Sequence, residues 1–235
     1  LSRQSYNQQY VETLFDSISE KYDLLNHLLS LGIDIIWRKK AIKLLAKFNP
    51  ERILDIATGT ADFAIEAMKL SPVEITGIDI SEKMLEIAKK KISKRKLEDK
   101  IKLIYGKAEA LDFKAGCFDA VICAFGVRNF ENLEKGLKEI HRVLSDKGVF
   151  MMLEFSLPNS YMIKNVYKFY LTKVLPEIAG IVSKRKYAYE YLSKTISEFP
   201  NQINFSKELK GSGFSKVEFY PMTFGIATVY FAIKG

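Results

Sequence analysis

Histidine and cysteine are nearly absent from this sequence, with two of each among 235 residues. His27 and His141 stand far apart, which argues against a histidine-based nucleophilic triad and a His-rich metal centre, although an acidic metal site stays open. Cys117 and Cys123 lie six positions apart around a predicted strand. They have neither CxxC spacing nor neighbouring histidines, so no zinc site is expected and a reduced, intracellular setting is. No apolar run approaches the roughly 18 residues needed to span a bilayer, and no segment joins a basic start to an apolar signal core. The expectation is a soluble or at most peripheral protein. Internal repeats and low-complexity tracts are missing too.

What is present is 48% hydrophobic, enough for the core of one α/β domain with a small elaboration. Lys and Arg exceed Asp and Glu by 36 to 28, a net charge of +8. Much of the excess lies in Lys89-Lys90-Lys91 and Lys94-Arg95-Lys96, at the end of a predicted helix. Cations there complement the helix dipole as a solvated face. A patch for an anionic membrane surface or for nucleic acid is the alternative.

From about Tyr6 to Phe48 the pattern is helical, with Val11, Leu14, Phe15, Ile18, Tyr22 and Leu25 at three- and four-residue spacings and Leu28, Leu29 and Leu31 continuing toward Gly32. A second helix is expected over Ile35 to Lys47, stopped by Asn49-Pro50. Strands then alternate with helices. Strands are read at Arg52–Ile56, Glu74–Asp79, Lys102–Tyr105, Phe118–Ala124 and Gly148–Phe155, and helices near Ala61–Leu70, Glu82–Lys96 and Leu133–Leu144. Such alternation means a mostly parallel sheet with helices on both faces. After Pro158 come aromatic helices, Tyr161–Ile181 and Lys186–Phe199, then Asn204–Lys210. Strands Lys216–Pro221 and Thr228–Ile233, joined through Gly225, close the chain as an antiparallel pair.

The richest chemistry lies in Leu54-Asp55-Ile56-Ala57-Thr58-Gly59-Thr60-Ala61-Asp62 and in Ile78-Asp79-Ile80. One acid ends each of two successive strands, with a glycine turn between them. In an open parallel sheet a ligand sits beyond the carboxyl ends of the strands. The turn lacks the three glycines of G-x-G-x-x-G, so it does not suit a dinucleotide pyrophosphate. It suits a phosphate-free cofactor with a positive centre, and S-adenosylmethionine has both properties. Asp55 then accepts from the cofactor's ammonium group, Gly59 admits close backbone approach and Asp79 takes the ribose hydroxyls. Thr60 and Asp62 are read either as cofactor contacts or as helix caps. Ile80 and Met84 either cover the adenine or belong to the core. The loop Gly106-Lys107-Ala108-Glu109 through Phe113 is placed to meet the adenine edge, and Ala124, with Phe125 to Phe130, ends the fourth strand at the site. Arg128 and Asn129 face the reacting group from there. No Asp/Asn-Pro-Pro-Tyr/Phe tetrapeptide stands at that point, which disfavours N-methylation of nucleic acid.

The paired acids and lone glycine resemble motifs I and II of class I methyltransferases. Four further groups, in order, narrow the resemblance: Tyr22-Asp23-Leu24-Leu25-Asn26 with Ser30 and Trp37; Phe125-Gly126-Val127-Arg128-Asn129; Arg142-Val143-Leu144 with Gly148 and Leu153 through Pro158; and Tyr189-Glu190-Tyr191-Leu192 with Ser197, Phe199-Pro200 and Gln202. They look like the ubiquinone/menaquinone biosynthesis C-methyltransferases, from about Val11 to the C-terminus. Three positions depart from that family: Ala61 replaces a second small glycine, Asp34 a histidine and Ala124 a serine. Ala61 is expected to be tolerated where its φ is negative, and the other two to alter a cofactor or substrate contact.

The resemblance implies a Rossmann-like seven-stranded sheet with the seventh strand between the fifth and sixth. Residues 1–48 are expected to form a helical cap and 49–235 a methyltransferase domain with a helical insertion at about 159–200. The implied reaction is C-methylation of a prenylated quinol, demethylmenaquinol first among them, yielding S-adenosylhomocysteine. Arg128 would stabilise the developing phenolate, or else form a structural pair with a helix carboxylate. Tyr22, Asp23 and Asn26 would close over the cofactor or orient the ring, with Asp23 a candidate proton acceptor. The aromatic helices are read as a groove for the prenyl tail or as an ordinary core. Peripheral contact with the inner face of a membrane, a cytoplasmic location, a homodimer and no nucleic acid complete the expectation. An RNA- or protein-directed methyltransferase and a silent binding module remain the other readings.

Overall fold

The computed structural model describes residues 7–30, 32–177 and 186–235. The expectations placed on Leu31, on residues 178–185 and on the side chains of Leu25, Leu28, Leu29 and Tyr189 lie outside the described residues.

Three helices precede the sheet: α1 (Gln8–Ile18), α2 (Tyr22–Ser30) and α3 (Asp34–Leu45). The sequence pattern reads α1 and α2 as one stretch, but the chain breaks between them at a 3₁₀ turn, Ser19–Lys21. Serine hydroxyls assist the break. Ser17 Oγ donates to the Leu14 carbonyl at 2.7 Å and Ser19 Oγ to that of Asp16 at 3.1 Å, local bonds that compete with a continuing helix.

Seven strands follow: β1 (Arg52–Ile56), β2 (Glu74–Asp79), β3 (Ile101–Tyr105), β4 (Phe118–Ala124), β5 (Leu144–Phe155), β6 (Phe214–Met222) and β7 (Ala227–Lys234). Their order is β3-β2-β1-β4-β5-β7-β6. The first five are parallel, and β7 runs antiparallel to both β5 and β6, so the expected closing hairpin and strand order are both present. β5 begins four residues before its expected start, at Leu144, which pairs with Phe118.

Between the strands lie α4 (Asp62–Ala67), α5 (Glu82–Lys94) and α6 (Leu133–Val143). In α5, Met84, Leu85, Ala88 and Ile92 form one buried stripe, and the Ser81 hydroxyl caps the first turn by accepting from Met84 N at 3.1 Å. After β5, α7 (Tyr161–Phe169) continues as a π-helical turn over Tyr170–Val174, and α8 (Lys186–Glu198) and α9 (Gln202–Gly211) follow.

The central strands are buried on both faces, as parallel strands covered by helices must be. One core joins residues of α1, α3 and α4 to the sheet, with Trp37, Phe125 and Phe155 at its centre. Phe125 stacks on Phe155 at 4.4 Å between centroids, and Trp37 meets Phe155 edge-on at 5.9 Å. The other core packs α6 and α9 against Leu54, Ile56, Phe150 and Tyr230. Tyr167 and Tyr191 of the aromatic helices are buried, so these helices do supply ordinary core, while Tyr161, Met162, Val166 and Phe169 of α7 are exposed.

Gly126 lets the ends of β1 and β4 close on one another: a Cβ there would lie 2.6 Å from Ala57 Cβ and 2.8 Å from Cys123 Sγ. Gly126→Ala should therefore destabilise the fold by about 1–3 kcal/mol through overpacking. Gly211, where an added Cβ meets nothing within 4 Å, is the control. Chemical denaturation should show a lowered midpoint for Gly126→Ala and none for Gly211→Ala.

Candidate active site

After β1 the chain crosses to one side of the sheet, and after β3 it returns to the other side of β1 to form β4. The divergence opens a crevice beyond the carboxyl ends of β1 and β4, where α/β sheets hold ligands. Gly59, Asp79, Ile80, Met84 and the Lys107-Ala108-Glu109 loop line it, as do Asn129 and Phe130 and, from the N-terminal helices, Gln8, Val11, Phe15 and Tyr22. A smaller polar pocket shares Tyr22 and Ala57 with it and is lined by Arg38, Asp55, Thr58, Thr60, Asp62, Phe63 and Ala124.

The turn after β1 is built on left-handed backbone. Ala57, Gly59 and Ala61 have φ of 53°, 56° and 66°. The condition set for tolerating Ala61, a negative φ, is therefore not met. A left-handed L-residue costs about 1–2 kcal/mol, and complete burial of the Ala61 methyl in the core offsets part of it.

Asp79 ties two turns together: Gly59 N donates to its Oδ2 at 2.8 Å and Ser81 N to its Oδ1 at 2.9 Å. Each oxygen keeps further lone pairs for the crevice. Burial raises the Asp79 carboxyl to about 6, against the lowering effect of those backbone donors. Asp55 is buried as well. Its Oδ2 accepts from Thr58 Oγ1 at 2.6 Å, and its Oδ1 has no hydrogen-bond partner among the described residues. Desolvation raises Asp55 to about 7, with the Thr58 bond opposing and the Asp79 charge adding to the shift.

Thr60 and Asp62 do not cap α4, whose N-cap is Ala61 and makes no side-chain cap bond. They meet Lys91 instead. Its ammonium donates to Thr60 Oγ1 at 2.8 Å and to Asp62 Oδ1 at 2.7 Å, and pairs with Asp23 Oδ2 at 2.6 Å. Asp23 Oδ1 accepts from Thr60 Oγ1 at 2.6 Å, so both Asp23 oxygens are engaged in fastening α2 to the turn. Lys91 therefore leaves the solvated face that its lysine run suggests. Two more bonds fasten the N-terminal helices over the crevice: Lys107 Nζ to Gln8 Oε1 at 2.9 Å and Ser81 Oγ to Asp16 Oδ1 at 2.5 Å. Glu109 accepts from Asn132 N at 3.2 Å, and Arg142 holds the same loop through the Leu111 and Phe113 carbonyls.

Arg128 lies behind the crevice wall. Its Nη1 donates to Glu154 Oε1 at 2.6 Å and to the Phe125 carbonyl at 2.5 Å, and Glu154 is fully buried. The partner is a carboxylate of strand β5, where a helix carboxylate was the expected structural alternative. The guanidinium's charge still reaches the crevice wall, where it opposes the rise that burial imposes on the Tyr22 hydroxyl. Asn129 accepts from Tyr191 Oη at 2.8 Å, bringing α8 to the crevice mouth.

Of the three departures, Ala124 lines the small polar pocket and Asp34 lies fully buried beneath it, accepting from His27, Ser30 and Arg38. Arg38, Lys91 and Glu154 are the site residues that sequence reading passed over. Only the place of Arg38 beside Trp37 and of Glu154 within its motif pointed to them.

The sequence pattern of the ubiE/COQ5 methyltransferase family matches residues 3–234. The chain belongs to the ubiE/COQ5 methyltransferase family. It is 44% identical over 227 residues to a demethylmenaquinone methyltransferase of Bacteroides fragilis, covering 96% of this chain and 93% of that one. It is 42% identical over 226 residues to a ubiquinone/menaquinone biosynthesis C-methyltransferase of Geotalea uraniireducens, covering 95% and 96% respectively. A SAM-dependent methyltransferase structure from Thermotoga maritima shares the fold at a TM-score of 0.66 with 18% identity, over 95% of this chain and 99% of that one. The chain is a methyltransferase, and the methyl donor expected from its strand-end acids is S-adenosylmethionine. The residues fit that group: Asp55 presents a buried, unpartnered acceptor, Asp79 a carboxylate at the crevice, and Gly59 a backbone with no Cβ between the two.

Both raised carboxyls give a pH dependence of defined sign. With folded values of about 7 and about 6 against an ordinary 3.8, the folded chain binds more protons than the unfolded one over that interval. Stability from these groups is full below pH 4 and is lost as pH rises through 6 to 7. Cofactor affinity should move oppositely, rising about tenfold between pH 6 and pH 7.5 as Asp55 ionises. Calorimetric titration with S-adenosylhomocysteine at both pH values, beside thermal unfolding of the free chain, measures both signs. Asp55→Asn should flatten the affinity profile.

Proposed function

We propose that this chain methylates a ring carbon of a prenylated quinol, demethylmenaquinol above the ubiquinol precursor, in quinone biosynthesis. The observation that carries the reading is similarity over most of the chain to enzymes named for that reaction, joined to two buried carboxylates, Asp79 in the crevice and Asp55 in the adjoining pocket, that suit the methyl donor. Phe15, Tyr22, Phe125 and Phe130 supply an aromatic lining for the acceptor ring.

S-Adenosylmethionine, when bound, supplies an electrophilic methyl group on a sulfonium centre. The chain's own residues do the rest. Asp55 and Asp79 hold the donor at its ends, and the α1–α2 roof excludes water. A ring carbon becomes nucleophilic when a neighbouring hydroxyl is ionised, so a fixed positive potential beside that oxygen lowers the barrier. In this reading Arg128 provides it from behind the wall, and Glu154 keeps the guanidinium in place. Tyr22 and Asn129 contact the acceptor and align it for in-line attack. Asp23 serves by holding α2 closed.

Residues 1–48 act as a cap and 49–235 as the transferase domain, with 159–200 as a helical insertion. Exposed Tyr161, Met162, Val166 and Phe169 beside Lys168 support peripheral contact with a membrane holding the prenylated substrate. Among the described residues no helix is long and apolar enough to cross one.

Side-by-side assays under reducing conditions, with demethylmenaquinol and the ubiquinol precursor as acceptors, test the reading by mass spectrometry of the methylated ring. Methylation of neither quinol, or of RNA instead, overturns it. Arg128→Lys should lower turnover by about 10- to 100-fold, with the dissociation constant for S-adenosylmethionine within about twofold. Arg128→Ala should additionally cost about 3–5 kcal/mol of stability by leaving Glu154 buried without its cation.

A further inference from the structure

We propose that Arg38 receives the α-carboxylate of the cofactor's amino-acid tail, while Asp55 across the same pocket takes its ammonium group. The inference rests on S-adenosylmethionine as the methyl donor. It adds a binding residue that neither the two strand-end acids nor the glycine turn supplies.

Arg38 stands on α3, directly after Trp37, and is 8% exposed. Trp37 is locked against Phe155 and donates from Nε1 to Thr223 Oγ1 at 2.8 Å, so the start of α3 is held against the carboxyl end of the sheet. The guanidinium lies 5.6 Å from the centroid of the Phe125 ring. Its Nη1 donates to Asp34 Oδ2 at 2.5 Å, and Asp34 is itself held by His27 Nδ1 at 2.9 Å and Ser30 Oγ at 2.7 Å. A guanidinium carries five N–H donors in a rigid fork. The bond to Asp34 engages one arm, and Arg38 also lines the small polar pocket.

Asp55 lines the same pocket, and its Oδ1 is buried and unpartnered among the described residues. A buried acceptor with no partner is costly, and a buried cation beside it with donors to spare makes a complementary pair of sites. The two are near enough for the Arg38 charge to act on Asp55. They do not form an ion pair with each other. What fits between them is a small zwitterion, positive toward Asp55 and negative toward Arg38. The pocket joins the main crevice at Tyr22 and Ala57, so such a head can belong to a molecule whose nucleoside lies on Asp79. Asp34 is an anion buried under Arg38 at a position where the resembling family carries histidine. It sets the guanidinium's height without occupying the pocket.

Equilibrium calorimetry on the full chain tests this with two ligands differing only in that group: S-adenosylmethionine and its decarboxylated analogue. The wild-type chain should hold the intact molecule about 10- to 100-fold more tightly. Arg38→Gln should abolish the preference by weakening the intact ligand to the level of the analogue while leaving the analogue unchanged, and Arg38→Lys should retain part of it. Equal wild-type affinity for the two ligands overturns the inference and leaves the methyl-donor reading standing. So does an Arg38→Gln chain, folded by circular dichroism, that loses both ligands in equal measure. If Arg38→Gln does not fold, the wild-type preference together with Arg38→Lys decides. A wild-type chain that binds neither ligand overturns the methyl-donor reading, and this inference with it.

Discussion

The Asp79 carboxylate, bonded to backbone N–H groups of Gly59 and Ser81, is the interaction on which the site depends. Those donors belong to the turns after β1 and β2, so one side chain holds both strand exits at a fixed spacing. Ser81 passes the constraint on. Its hydroxyl caps α5 and also donates to Asp16 of α1, so the strand end, the following helix and the crevice roof meet at one residue. Holding an anion in this buried position raises its pKa, and the backbone donors limit the rise.

A second constraint comes from charges taken out of water. Arg128 with Glu154, Arg38 with Asp34, and Lys91 among Asp23, Asp62 and Thr60 are sites where a lone partner would be costly. Such pairs contribute little net stability compared with apolar replacements of the same shape. They supply fixed charge at chosen points behind and beside the crevice. Asp55 is the contrasting case, an anion with one oxygen left open. Among these buried acids and bases of the described residues, its carboxyl keeps an acceptor turned to no protein donor.

The roof and floor are held by different physics. Below, Trp37, Phe125 and Phe155 form a close-packed aromatic cluster that fixes α3 and the end of β4, with Phe125 itself held at a φ of 59°. Above, α1 buries Val11, Leu14 and Ile18, and three further polar links, through Lys107, Ser81 and Lys91, join α1 and α2 to the crevice rim at partly buried positions. Close packing fixes the crevice wall, and exchangeable polar bonds add to the hold on the helices above it.

The sequence alone determined the alternation of strand and helix, the closing hairpin and the placement of Asp55, Gly59 and Asp79, because those follow from local periodicity and turn chemistry. The strand order and the C-methyltransferase family were legible through resemblance. Tertiary structure decided what local pattern does not encode. The inward reach of Lys91 from a lysine run and the pairing of Arg128 with Glu154 depend on partners far away in the chain. A charged side chain looks the same in sequence whether it meets water or a buried carboxylate. Only the closing of distant elements removes the water and gives the charge its role.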